Sequence, residues 1–479
     1  MDESQTLSTR VKALLADLSD QVSILDATEA GAKYCRDWAD EVGEPAPVVR
    51  PRTPKALAQS VARLADAGLP MVPQGGMSGL VGSGAPRAGE VVISTELLRQ
   101  VEHVDVLGGT MRVQAGATLQ AVQVEAERHG LFYPVDLGAR GSCQIGGNIA
   151  TNAGGNRVLQ YGMTRASVLG LEVVLADGTV ISRLGEVVKD NAGYDLKHLF
   201  IGSEGTLGIV SRATLRLQPL PRERITALIG CTSLDQVLKL LVAARRVLGP
   251  CLTAFEVMWR DYFERVNGLL GVGRDPFAGA ASHQVLIEVS CFDPNPERDR
   301  ERVEESLAHI SELVGTDKVA IAQSLKEANE FWKVRDSSGE VARSLGEYLS
   351  FDVSIPTSRL AEVLGWLETG LEAIQPGLRK ATYGHLGDGN LHLLVESPGA
   401  LVEAIEALVY SAVVRVSGSI SAEHGVGTAK REALAAARPP LELALMQRIK
   451  SALDPKGLLS PGRVLTESAP INAVPAISN

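Results

Sequence analysis

The chain has little cysteine and uses it without pattern. Its five residues, Cys35, Cys143, Cys231, Cys251 and Cys291, are odd in number and include no CxxC pair, which fits reduced thiols and a cytoplasmic location rather than a disulfide frame. Long apolar runs are missing too, none approaching the ~18 to 20 residues that cross a bilayer. The opening MDESQTLSTRVKALLADLSD carries Asp2, Glu3, Asp17 and Asp20 without an apolar stretch, so neither a secretory signal nor an acid-poor transit peptide is expected. Positive charge is not in surplus: 47 basic against 57 acidic side chains leave a net charge of -10. Capture of nucleic acid or anionic lipid by bulk charge is therefore not expected. Repeats and low-complexity linkers are absent from the sequence. With 45% hydrophobic and 22% charged residues in 479, what remains is an ordinary globular chain of two to four domains, at roughly 150 residues each.

Local signals divide that chain. Residues 1–44 hold a helical stripe over 5–27, set by Leu7, Val11, Leu14, Leu15 and Leu18. A β-α-β unit follows. Val48 and Val49 form a strand, Thr53 and Pro54 cap a helix with Leu57, Val61 and Leu64 on its buried face, and Gly68 ends it. The next strand, at Met71-Val72, runs into PQGGMSGLVGSG. VLGLEVVLADGTVIS alternates around an Asp177-Gly178 turn, and LGIVSRATLRLQPLP reads as a strand closing a domain over 45–220. In 221–425, the stretches ITALIGC, CLTAFEVMW, HQVLIEVSC, DKVAIAQ, EYLSFDVSIP, RKATYG and NLHLLVES alternate with helical segments. That order predicts an α+β architecture with an antiparallel sheet covered by helices on one side. Residues 426–479 read as a helical segment and a tail.

Glycine is the outlier in composition, 48 residues against the ~7% usual in proteins. Seventeen of them fall in three windows: six in 75–89, seven in 138–162 and four in 193–208. Clustered glycines either make tight turns or let backbone N–H groups converge on an anion without basic side chains. No GxGxxG opens a helix and no GxxxxGK[ST] is present, which excludes the Rossmann and P-loop solutions. Ser142, Thr151, Asn152 and Asn156 add hydrogen-bonding groups suited to a polar ring edge or a ribitol chain.

Two further groups carry chemistry. His385 and His392 flank a Gly-Asp-Gly-Asn turn, and Glu423 with His424 lies about thirty residues later in ISAEHGVG. Paired across a hairpin, two imidazoles and a carboxylate form an open site for Zn²⁺, Mn²⁺ or Fe²⁺. Structural hydrogen bonds are the other use of the same pair. Leu325, Ala328, Phe331, Trp332, Arg335 and Ala342 recur at helical spacing, so Arg335 sits on a buried stripe. There it needs an anion, either a structural carboxylate or an acidic substrate.

PQGGMSGLVGSG, PVDLG...CQIGGNIATNAGGN...YG and GYDLKHLFIGSEGTLGIV resemble the FAD-binding domain of the vanillyl-alcohol oxidase type. YGHLGDGNLHLLVE and ISAEHGVG resemble the C-terminal domain of FAD-linked D-2-hydroxyacid dehydrogenases, a group holding D-lactate dehydrogenases, glycolate oxidase subunits and D-2-hydroxyglutarate dehydrogenases. The resemblance spans residues 45–466. It implies a pyrophosphate site on Gln74, Gly75, Gly76, Met77, Ser78 and Gly79. It also implies flavin contacts from Pro134, Asp136, Gly138, Cys143, Gly146, Gly147, Asn148, Thr151, Ala153, Gly154 and Ile209. The phosphate loop lacks the histidine of relatives with covalent flavin, so the expected FAD is non-covalent. By the same resemblance His385, His392 and Glu423 hold one divalent metal, zinc ahead of manganese or iron. His424 is the general base, and Arg335 grips the substrate carboxylate. Electrons are expected to pass to an electron-transfer flavoprotein or a quinone rather than to NAD, and a homodimer is one expected assembly.

The chain departs from the D-2-hydroxyglutarate branch at three places. Gly339 stands for a threonine, Ser350 for a lysine and Leu394 for an asparagine. Each change removes a group able to hold a diacid, so a monocarboxylic D-2-hydroxy acid with a small or apolar tail is the expected substrate. The alternatives are D-2-hydroxyglutarate itself, or service as the flavin subunit of a glycolate- or lactate-oxidising complex. A non-catalytic flavin-binding subunit is disfavoured by the complete His385, His392, Glu423 and His424 set.

Overall fold

The computed structural model describes residues 3–39, 41–271 and 275–466, and the expected tail over 467–479 lies outside the described residues. Thr53 and Pro54 start a helix as the sequence predicts. The Ala56 N–H donates to Thr53 Oγ1 at 3.1 Å, Pro54 opens Pro54–Asp66, and Leu57, Val61 and Leu64 are fully buried. They cover a four-stranded sheet whose order is β1 (Val22–Leu25), β2 (Val48–Pro51), β4 (Val91–Ser94) and β3 (Met71–Gln74). The last three run parallel, while β1 is antiparallel to β2 at the edge. The expected N-terminal helical stripe is thus corrected: its first helix stops at Leu14, and Val22–Leu25 pairs with the sheet. Valine and isoleucine suit that extended edge better than another helical turn.

A second sheet is antiparallel, of order β5 (Val101–Asp105), β6 (Thr110–Gln114), β10 (Ile209–Arg216), β8 (Val168–Val174) and β9 (Val180–Arg183). A short pair, β7 (Leu131–Phe132) with β11 (Gln218–Pro219), lies beside it. Val174 and Ile209 join the core of the first sheet, which locks the two together.

All seven strand-like stretches of the second half form one antiparallel sheet. Its order is β15 (Val319–Ile321), β12 (Glu223–Cys231), β14 (His283–Cys291), β13 (Leu252–Trp259), β17 (Lys380–Gly384), β18 (Asn390–Glu396) and β16 (Tyr348–Ser354). Alternation divides its side chains between two cores. Phe255, Val257, Leu391 and Leu393 face the helices Leu234–Leu248, Pro296–Val314, Leu360–Ile374 and Val402–Arg415. Met258, Leu286, Ala381 and Leu394 face the helices Arg260–Leu270, Leu325–Arg335 and Ser338–Ser344. Helices therefore cover both faces rather than the single face expected, because the strands are apolar on both sides. The predicted single helix through Arg335 and Ala342 is two helices, broken at Asp336-Ser337. Leu325 is 81% exposed and does not join the stripe.

The segment after residue 425 returns to the first sheet. Leu459 bridges Met71 in parallel, and Arg463, fully buried, pairs with Glu90 at 2.6 Å.

Candidate active site

The glycine clusters converge on a cavity of about 640 Å³ between the flavin-type sheets and the second face of the large sheet. Gln74 to Gly79 lines it, as do Asp136, Gly138, Gly146, Gly147 and Asn148, and then Thr151, Ala153, Gly154 and Ile209. Pro134 and Cys143 are not part of the lining. Cys143 turns instead into the apolar core under the second sheet, where burial raises its thiol pKa. Residues suited to holding FAD are visible in two observations. A methyl group built on Gly79, Gly138 or Gly147 meets no atom within 4 Å, so these glycines leave open space at the wall. Gln74 Oε1 is buried there without a protein partner, and a buried polar atom needs one. Met77 takes φ 53°, a left-handed turn that points the loop around the cavity.

The large sheet supplies the other wall. Register sets Asp352 opposite His392 and Tyr383 opposite His392, so three polar side chains meet on one face. The Tyr383 ring stacks on His392 with centroids 4.8 Å apart. His385 follows β17 and lies with His392 and Glu423 so that one donor atom from each falls within 4.8 Å of the others. His385 Nδ1–H donates to Glu256 Oε1 at 2.8 Å, and Nε2 lies 3.9 Å from Glu423 Oε2 while accepting from Arg335 Nη2 at 2.8 Å. Burial works against the charged ring, but Glu256 outweighs it and raises its pKa to about 9. An ion at the shared point therefore has to displace that hydrogen bond and the proton. A carboxylate behind a histidine is the usual way to fix the ring for a metal. His392 has burial pushing its pKa down, a neutral imidazole being the ligand form.

Asp352, fully buried, holds the other half. Its Oδ2 accepts from the Glu423 and His424 N–H groups at 2.9 and 3.0 Å, and lies 3.6 Å from His424 Nδ1. Burial works against its charge, but His424, His392, Lys430 and the Glu423 amide outweigh it and hold the carboxyl well below the usual range. Sequence reasoning missed Glu256 and Asp352. Both are lone carboxylates in otherwise apolar strands, AFEVMW and SFDVS, and that was the available signal.

Arg335 meets the first of its two alternative partners, a structural carboxylate. Its Nε donates to the buried Glu256 at 2.7 Å and its Nη2 to His385 Nε2 at 2.8 Å, while the residue lines the cavity beside Asp336 and Ser338. Gly339, Ser350 and Leu394 are not brought into the lining. Gly339 is exposed, Leu394 is packed in the core, and Ser350 is an exposed residue two positions before Asp352 on the same face of β16. Among the described residues, the cations lining the cavity are Arg335 and Arg140, and Arg140 was not anticipated.

Comparison with known proteins defines the class. Residues 45–183 match an FAD binding domain and residues 220–464 match the C-terminal domain of FAD linked oxidases. The chain belongs to this family of FAD-linked oxidoreductases, and FAD is its cofactor. Within it, the chain is 39% identical to the mitochondrial D-2-hydroxyglutarate dehydrogenase of Bos taurus, across 90% of this chain and 79% of that one. It is 38% identical to the D-2-hydroxyglutarate dehydrogenase of Xanthomonas citri, across 92% and 94%. Solved alkyldihydroxyacetonephosphate synthase shares the fold, with a TM-score of 0.69 at 15% identity over 94% of this chain and 84% of that one.

Proposed function

We propose that the chain oxidises a D-2-hydroxy acid to the 2-oxo acid, with one divalent metal assisting. The observation that carries this reading is the placement of Arg335, His385, His392, Glu423 and His424 on one wall of the cavity whose other wall is built for FAD. Arg335, already held in plane by Glu256, offers its remaining N–H groups to a carboxylate. His385, His392 and Glu423 would hold the metal near the 2-hydroxyl, and His424 would take the hydroxyl proton at one ring nitrogen while Asp352 orients the other. When bound, FAD supplies a hydride acceptor for C2 and the ion lowers the hydroxyl pKa. Electron-transfer flavoprotein or quinone is the acceptor in this reading. A homodimer and a cytoplasmic setting belong to it as well, all five cysteines being unpaired.

The substrate tail divides two readings. The short or apolar tail expected from Gly339, Ser350 and Leu394 gains no support from the cavity wall, since none of the three lines it. D-2-hydroxyglutarate is favoured by the names of the relatives and by Arg140 on the cavity wall. Dye-linked kcat/KM for D-lactate, D-2-hydroxybutyrate, D-malate, D-2-hydroxyglutarate and their L-isomers, before and after chelation, tests the whole. Turnover of none of the D-acids would overturn the function, and a clear lead for the five-carbon diacid would decide the tail for the second reading.

A further inference from the structure

Glu204 lines the same cavity, yet its carboxylate is engaged by protein groups from two separate loops. It sits in the third glycine cluster at φ 52°, a left-handed conformation unusual for glutamate, and is 8% exposed. Its own N–H donates to Ala150 O at 2.7 Å, which pins it to the last residue of the helix Ile145–Ala150 inside the second cluster. The carboxylate then joins two loops that are far apart in sequence. Ser83 Oγ of the phosphate loop donates to Oε2 at 2.5 Å. The Val426 N–H donates to Oε1 at 2.8 Å and the Gly427 N–H to Oε2 at 2.9 Å, directly after His424.

The surrounding glycines fit this carboxylate and little else. A Cβ on Gly425 would lie 2.9 Å from the Glu204 carboxyl group, and one on Gly427 would lie 2.0 Å from Val81 O in the phosphate loop. The Thr428 N–H donates to that same Val81 O at 2.9 Å, and Gly155 N–H donates to Glu423 Oε1 at 2.9 Å. The loop carrying Glu423 and His424 belongs to the substrate half by sequence. While Asp352 holds its first two amides, its continuation through Val426, Gly427 and Thr428 is held by flavin-side atoms.

We propose that Glu204 is a positioning residue that couples flavin occupancy to the order of the Glu423–His424 loop. Flavin on Gln74 to Gly79 fixes the phosphate loop, Ser83 fixes the carboxylate, and the carboxylate fixes the two amides behind His424. Without that acceptor, one buried and one half-buried N–H group lose their partner and the loop opens. Coupling between two sites is reciprocal, so order in the loop must also tighten the flavin. The inference rests on flavin binding but not on the identity of metal or substrate.

Hydrogen exchange of the amides in 424–428, followed by mass spectrometry in holoenzyme and in flavin-depleted protein, tests it. In the parent protein, depletion should speed exchange there by at least about fivefold, within the usual range of coupling between sites. Ser83→Ala keeps the two amide bonds but removes the link through Glu204, while Val81 O still accepts from the Thr428 N–H, so exchange at 426 and 427 should depend less on flavin than in the parent. Glu204→Gln should exchange fast with flavin bound, and its flavin dissociation constant should rise by at least about fivefold. A purely structural Glu204 would leave Ser83→Ala as flavin-dependent as the parent, and that result overturns the proposal. So does parent exchange that ignores flavin. If Glu204→Gln fails to fold, Ser83→Ala alone decides.

Discussion

His424 and Glu423 are neighbours in sequence with divided tasks, and Asp352 is what divides them. By accepting both of their backbone N–H groups it fixes the peptide that sends one side chain toward His385 and the other toward its own Oδ2. Replacing His424 by alanine is expected to lower kcat by roughly 10² to 10⁴, the range for removing an acid-base group, while Arg335→Ala mainly raises KM. Steady-state kinetics across pH check both, and near-normal turnover of His424→Ala would remove the base assignment. Gly154 is a quieter test of the same centre. A methyl there would lie 2.6 Å from Glu423 Oε1. Gly154→Ala should therefore displace that carboxylate and weaken metal binding by ~10-fold or more, as losses near a ligand do. Metal content by elemental analysis, equal in the variant and the parent, would show that Glu423 does not serve the ion.

The large sheet was readable because its strands alternate and are bounded by turn residues, so all seven stretches appear where the sequence places them. What alternation does not carry is the identity of the second face. Helices Leu325–Arg335 and Ser338–Ser344 cover it, and their break at Asp336-Ser337 falls on residues that favour caps and turns, a signal masked by the helical spacing that continues to Ala342. Glycine windows located the cavity wall, since only close backbone approach needs them. Pro134 and Cys143 carried no such requirement, and they lie outside the lining. Ser350 and Leu394 share the site face with Asp352 and His392, but one pleat further along, a distance that residue type alone does not reveal. The same sheet holds a pH-sensitive element away from the site. His283 starts β14, packs edge-on against Trp259, and burial lowers its pKa from 6.5 to about 4. The folded ring stays neutral while the unfolded chain binds a proton below pH 6.5. Stability is therefore complete above that pH, falls as pH drops toward 4, and is level below it. The loss should be roughly 2 kcal/mol, discounted because the ring keeps some solvent. His283→Gln should flatten this decline in melts run across pH, and an unchanged slope would assign the acid sensitivity elsewhere.

At the scale of the whole molecule, a cavity enclosed by loops from both halves should retain FAD firmly without a covalent bond. Acid precipitation is expected to leave a colourless pellet and a yellow supernatant, and flavin that stays with the pellet would show attachment. The return of the chain to its first sheet has a different consequence. Leu459 pairs with Met71 and Arg463 with Glu90, the latter 373 residues apart in sequence. During synthesis, then, the cradle for FAD stays unfinished until Leu459 and Arg463 leave the ribosome, although its glycine loops emerge early. Contacts so distant in sequence close slowly. Pulse-chase labelling should find flavin incorporation lagging behind chain completion, and nascent chains released before residue 459 should be protease-sensitive through Met71–Gln74, whatever the concentration of FAD.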